Sequence, residues 1–198
     1  MKKVLVIGAT GLLGAAIVQK LADKAEVIEA SFSHPTNPVD LSNPSALKAL
    51  FENVDKVDAI ICTAGVAHFK PFNDTQDADW QFGIENKMMG QINTVRFGAE
   101  YLNEGGAIVL TTGTLAQTPL PGSAIVSAVN AAVEGAIRAF SLELENVRIN
   151  AVSPGWISET LAAMGMDPTP GLPAADVAQF YIDLVEQSTG GEIIVAAK

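Results

Sequence analysis

The chain has 198 residues, enough for one domain with a sizeable core and too few for two. Hydrophobic residues make up 48% and charged residues 17%, which excludes a disordered chain, and a net charge of −10 argues against a nucleic-acid surface, where phosphate contacts need clustered Lys and Arg. A lone cysteine, Cys62, rules out an internal disulfide and fits a reducing compartment, so a soluble, cytoplasmic protein is expected.

The N-terminal apolar run after Lys2 and Lys3 breaks at Gly8 without a cleavage-like site, so it reads as a strand and not as a signal peptide. No apolar run reaches the roughly 20 residues of a membrane span. Val4 to Ile7 is continuously apolar, as a buried parallel strand should be. Helical spacing follows from Leu12 to Leu21, then a second strand from Val27 to Ala30 and a very short third at Val39. Ser42 or Asn43 can cap a helix through Leu47 and Leu50 to Val54, with Pro44 in its first turn. Ala59 to Cys62 is a strand, Asp79 to Tyr101 a long helix and Ala107 to Leu110 a strand. An Ala-rich helix from Ser123 to Leu144, a strand from Val147 to Val152, a helix from Ala174 to Glu186 and a strand from Glu192 to Val195 complete the set. Alternating strands and helices imply one α/β domain over residues 1–198, a parallel sheet with helices on both faces. The Pro- and Gly-rich stretch from Gly165 to Pro173 reads as a mobile flap, because too little chain follows it to fold alone.

The segment Gly8-Ala9-Thr10-Gly11-Leu12-Leu13-Gly14 follows the first strand and opens the first helix. Glycines there permit a tight turn and let backbone N–H groups approach a pyrophosphate at the positive end of the helix dipole. The alternative is a turn that only packs helix on strand. The second strand ends Glu29-Ala30-Ser31-Phe32-Ser33-His34. Glu29 lies too early to hold a ribose 2′-OH, and Ser31, Ser33 and His34 can hydrogen-bond a 2′-phosphate, though no Arg secures it; the alternative is that they are ordinary turn residues. NADP is therefore the expected cofactor and NAD the second choice.

Further segments resemble the short-chain dehydrogenase/reductase family over nearly the whole chain. Asp40-Leu41 is similar to the family's acidic dipeptide at the adenine amino group, and Cys62-Thr63-Ala64-Gly65 to its Asn-Asn-Ala-Gly segment with both Asn replaced. Val147 to Ile157 resembles the sixth strand and the Pro-Gly turn beside the nicotinamide, which brings in Pro154, Gly155, Trp156 and Ile157. Thr189 to Val195 resembles the C-terminal strand. The resemblance implies a three-layer, doubly wound Rossmann fold with a seven-stranded parallel sheet in the order 3-2-1-4-5-6-7. It also implies an oxidoreductase acting on a small carbonyl or alcohol, and a homodimer or homotetramer built on the two long helices.

The family's chemistry rests on a Tyr with a Lys four residues later, one helical turn apart, and an upstream Ser. Here Val126-Ser127-Ala128-Val129-Asn130 places Val126 at the Tyr position and Asn130 at the Lys position. Valine cannot move a proton. Thr112 matches the Ser if one residue of loop length is allowed, and its hydroxyl can polarise a carbonyl; the alternative is a Thr that only ends a strand. Asn86-Lys87 covers the region of the family's catalytic Asn, with Lys87 three residues before Gly90. Lys87 entering the site could replace the missing ammonium or act as the acid, against the commoner reading of an exposed helix lysine. His68 can serve as an acid near pH 7, and Trp156 and Phe72 can wall a pocket. Two His and one Cys lack metal-ligand spacing, so no metal site is expected. Two readings lead, an NAD(P)-dependent oxidoreductase with a non-standard proton donor and a non-catalytic NAD(P)-binding sensor, with a non-redox lyase or isomerase on the same scaffold behind them.

Overall fold

The computed structural model describes residues 1–198. The chain alternates β1 (Lys2–Ile7), α1 (Leu12–Leu21), β2 (Ala25–Ala30), α2 (Pro44–Val54), β3 (Val57–Cys62), α3 (Asp77–Gly83), α4 (Gly90–Gly98), β4 (Leu102–Thr111), α5 (Ala124–Glu143), β5 (Arg148–Pro154), α6 (Ser158–Ala163), α7 (Ala174–Glu186) and β6 (Ile193–Ala196). Every strand pair is parallel and the order is β2-β1-β3-β4-β5-β6.

Strand pleating sorts the core into two layers. On β1, Leu5 and Ile7 face one side and pack with Leu47, Leu50 and Phe51 of α2, Val95 of α4, and Val133 and Ile137 of α5. Val4 and Val6 face the other and pack with Ile17 and Leu21 of α1 and with Val177, Tyr181 and Val185 of α7. Burying each side chain of this size contributes roughly 1.5–3 kcal/mol. Both sheet faces are therefore covered, which is why the strands read as continuous apolar runs rather than alternating ones.

The sheet has six strands, not seven. The third strand expected at Val39 shrinks to one bridge, Ser31 to Pro38, with the Val39 N–H donating to the Ser31 carbonyl at 3.0 Å. Pro35 and Pro38 carry no N–H, so this edge cannot extend a ladder. The expected helix from Asp79 to Tyr101 begins at Asp77 and is split by a π-helical segment, Ile84–Met89, before α4. β4 begins at Leu102, five residues earlier than its apolar run: Leu102 pairs with Val57 and the register then jumps to Ala59 opposite Ala107, so the intervening stretch with Gly105 and Gly106 bulges out of the ladder. The region between Pro154 and Pro173 holds the short helix α6 and a bridge from Ile157 to Leu172, so the flap is tied to the end of β5.

The chain reverses its winding direction between β1 and β3. The loops after these two strands diverge there, and in open α/β sheets this is where a crevice forms.

Candidate functional site

The crevice holds two pockets along the C-terminal edge of the sheet, and Leu13 lines both. The first has a volume of about 420 Å³. Its floor is the Gly8–Gly14 turn. Gly8 has φ +92°, and a Cβ there would sit 2.7 Å from Thr63 Oγ1; a Cβ on Gly14 would sit 2.0 Å from the Gly8 carbonyl oxygen. Only glycine lets α1 start this close to β1. Gly11, the N-cap of α1, offers no side chain to the first-turn N–H groups, so Leu12, Leu13 and Gly14 bring backbone donors to the wall.

Ser31, Asp40 and Leu41 close one side of this pocket, and Thr63, Ala64 and Gly65 the other. Thr10 completes the turn. Ser31 Oγ is buried and has no hydrogen-bond partner in the protein. Asp40 Oδ1 accepts from the Ser42 N–H at 2.9 Å and the Ser42 hydroxyl at 2.7 Å, which leaves its second oxygen uncommitted. Asp40 is the one charged residue on these walls. Ser33 is exposed and stands outside them. Phe32, Val39 and Val66 were not singled out by sequence and do line the pocket. Phe32 is 77% exposed at the pocket's edge, and nothing in its sequence neighbourhood separates it from a core aromatic.

The second pocket, about 620 Å³, lies over the ends of β4 and β5. Thr112 and Gly113 form one wall, Val126 and Asn130 of α5 another, and Pro154, Gly155, Trp156 and Ile157 a third. Asn130 is 3% exposed, and its Oδ1 has no partner. A Cβ on Gly113 would come within 3.1 Å of Asn130 Nδ2. Thr112 does reach the pocket, but its hydroxyl hydrogen points to Glu134 of α5, at 3.2 Å. Glu134 is 2% exposed and was not noticed from sequence, since a Glu on a long helix ordinarily faces water.

Asn86 and Lys87 sit in the π-helical segment, a geometry that often marks working parts of a helix. Asn86 lines the first pocket, and its Oδ1 accepts from the Val66 N–H at 2.7 Å. Lys87 is not an exposed helix lysine: it is 7% exposed, and Nζ donates to the Thr111 carbonyl at 2.6 Å. It lies behind Gly65 of the first pocket, whose added Cβ would meet Lys87 Cδ at 2.6 Å, and beside Thr111 of the second. Burial pulls its pKa down to about 8, with nearby Cys62 acting weakly in the opposite direction. Burial pushes the Cys62 thiol up, which makes it a packed side chain and not a nucleophile.

His68, Lys70 and Phe72 lie outside both pockets. Lys70 Nζ and His68 Nδ1 both reach Asp79, at 2.7 and 2.6 Å, and the Lys70 ammonium, with the Gln76 N–H, holds that carboxyl well below its usual range. No cluster of three metal-ligating side chains is present.

Comparison with known proteins agrees with this geometry. A family model described as enoyl-(acyl carrier protein) reductase matches residues 8–186. The chain is 25% identical over 199 residues to the short-chain dehydrogenase/reductase ATR9 of Stachybotrys chlorohalonatus, covering 89% of this chain and 77% of that one. It is 34% identical to lin1944 of Listeria innocua, with a TM-score of 0.94 over 98% of this chain and 99% of that one. A small-chain dehydrogenase solved in complex with NADPH superposes with a TM-score of 0.88 at 26% identity, over 99% of this chain and 96% of that one. The chain belongs to the short-chain dehydrogenase/reductase family.

Proposed function

We propose that the chain is an NAD(P)-dependent oxidoreductase acting on a small carbonyl or alcohol, with NADP preferred over NAD and a non-standard proton donor. The observation that carries this reading is the meeting of the two pockets at Leu13, over the switch point of the sheet. A dinucleotide needs such a continuous crevice, with its pyrophosphate at a helix N-terminus.

The residues fit that cofactor. The uncapped first turn of α1 supplies N–H donors for the pyrophosphate, and the orphaned hydroxyl of Ser31 supplies a donor at the end of β2. Asp40 and Leu41 stand where an adenine would lie, beside exposed Phe32. No acidic side chain follows β2 to repel a 2′-phosphate, which favours NADP, and one structural relative is known with NADPH. The nicotinamide supplies the hydride chemistry. Pro154 to Ile157 would hold it against the second pocket, where the substrate has room.

Val126 and Asn130 stand where the family's Tyr and Lys are expected, so the proton must come from elsewhere. Lys87 is the candidate. It lines neither pocket but is buried directly behind Gly65 of the first and hydrogen-bonded to Thr111 of the second, and its pKa of about 8 lies near the working range of a general acid. Asn86 fixes the neighbouring loop through Val66 and so helps place it.

Fluorescence titration with NADPH and NADH, followed by turnover with a panel of aldehydes and ketones, tests the reading. Saturable binding of NADPH at lower concentration than NADH, with slow oxidation by some carbonyl that Lys87→Met abolishes, is expected. Failure of either nucleotide to bind would end the proposal. Binding without turnover would favour the second reading, a non-catalytic NAD(P) sensor, which the Val126 and Asn130 positions support.

A homodimer through α5 belongs to the same proposal. Ala128, Ala131, Ala132, Gly135 and Ala139 form an exposed stripe of small residues, continued by Leu142 at 83% exposure. Such a stripe lets two helices approach closely. Light scattering should return twice the 20.7 kDa chain mass.

A further inference from the structure

Glu134 is a buried carboxylate that sequence would place in water, and three donors converge on it. Thr112 Oγ1 donates to Oε1 at 3.2 Å, while Gln117 Nε2 donates to Oε2 and Arg138 Nη2 pairs with the same Oε2 at 3.5 Å. A carboxylate has no proton to give, so the Thr112 hydroxyl is obliged to spend its only hydrogen here. What Thr112 keeps for the second pocket is lone pairs. A ligand bearing a hydroxyl hydrogen can use them, whereas a bare carbonyl meets acceptor against acceptor.

We propose that Glu134 is a positioning residue that fixes the hydrogen-bond polarity of Thr112, and thereby makes the second pocket favour a substrate that presents a hydroxyl over one that presents a carbonyl. The inference rests on the reading that this pocket receives the substrate. It replaces the expectation that Thr112 polarises a carbonyl.

The arrangement allows a reversal of polarity with no change of shape. In Glu134→Gln the amide oxygen stays on the side of Arg138, which can only donate, and Gln117 Nε2 donates to the same oxygen. The amide nitrogen then faces Thr112 and donates to Oγ1, which frees the threonine hydrogen to turn toward the pocket. Thr112→Val removes the group through which Glu134 acts and leaves Gln117 and Arg138 on the carboxylate.

The test is the ratio of dissociation constants for cyclohexanol and cyclohexanone, measured by ligand-observed NMR on the full chain without cofactor, so that neither is converted. One neutral hydrogen bond is worth about 1 kcal/mol, so wild type should hold the alcohol about fivefold tighter. Glu134→Gln should invert the preference, and Thr112→Val should bring the ratio near one. A role for Glu134 in fold stability alone would weaken both ligands equally and leave the ratio unchanged, which would overturn the inference. The same holds if Glu134→Gln shifts the ratio in the Thr112→Val background. If wild type binds both probes but shows no preference, the inference fails while the pocket reading stands. If neither probe binds, both fall.

Discussion

Lys87 is the residue where stability and chemistry pull against each other. Its ammonium is buried with a single carbonyl acceptor and no carboxylate beside it. The pKa of about 8 in the fold lies below the ordinary 10.5 of the unfolded chain. Between these values the unfolded chain binds more protons, so stability should rise with pH from about 8 to 10.5, and below about 8 the burial penalty is present in full. The span corresponds to a penalty on the order of 3 kcal/mol at neutral pH. Urea unfolding of wild type and Lys87→Met across pH 7 to 10 should therefore show the difference between them change by up to that amount, with wild type gaining as pH rises. A difference flat with pH would mean that the amine is not strained by burial, and the argument for a poised acid would lose its support. Sequence could name Lys87 as a candidate, because the distance to Gly90 pointed there, but its burial came from the π-helical turn. Glu134 shows the converse. Its partners Thr112 and Gln117 lie in the loop after β4, and no local pattern in α5 reports that a loop folds over it.

At the scale of elements, helices with explicit end signals were the most legible. Of the two caps expected, Ser42 or Asn43, the structure uses the second: Asn43 Oδ1 accepts from Ser45 N–H at 3.0 Å and Ala46 N–H at 3.3 Å, and α2 runs from Pro44 to Val54. Asn43→Ala should cost about 1 kcal/mol, read as a Tm lower by about 2–4 °C, with nucleotide binding unaffected because α2 starts beyond the crevice. A fall in binding affinity would mean that α2 braces the Asp40 turn more tightly than its hydrogen bonds suggest. The elements that sequence misjudged share a cause, which is partnership across the sheet. Val39 looked like a strand by residue type, yet Pro35 and Pro38 deny its neighbours the donors a ladder requires. β4 reads as short because Gly105 and Gly106 are poor strand formers, and they do fall in a bulge; the pair that starts the strand earlier, Leu102 with Val57, is set by the neighbouring strand.

For the whole molecule, the fold and the first pocket are readable together because one feature makes both. The Gly8–Gly14 turn packs α1 against β1 and, by the same close approach, leaves the helix N-terminus bare. The second pocket was less readable, since its walls come from β4, α5, β5 and the C-terminal residues Ala197 and Lys198. If the crevice binds a dinucleotide in the folded state only, mass action must stabilise the entire domain, not just the loop. At a hundredfold excess over Kd the gain is about 2.7 kcal/mol, or roughly 5–10 °C in Tm for a chain of this size. Thermal unfolding with NADPH and with NADH at equal concentration should therefore give two shifts, the larger for NADPH. Gly14→Ala supplies the control. Its Cβ would fall 2.0 Å from the Gly8 carbonyl oxygen, so α1 must back away from β1. That variant should lose several kcal/mol of stability and, in addition, the nucleotide-dependent shift. If it loses stability but keeps the shift, the dinucleotide is held elsewhere than at the N-terminus of α1. If NADH shifts Tm as far as NADPH does, Ser31 is not reading a 2′-phosphate, and the preference for NADP goes while the crevice remains.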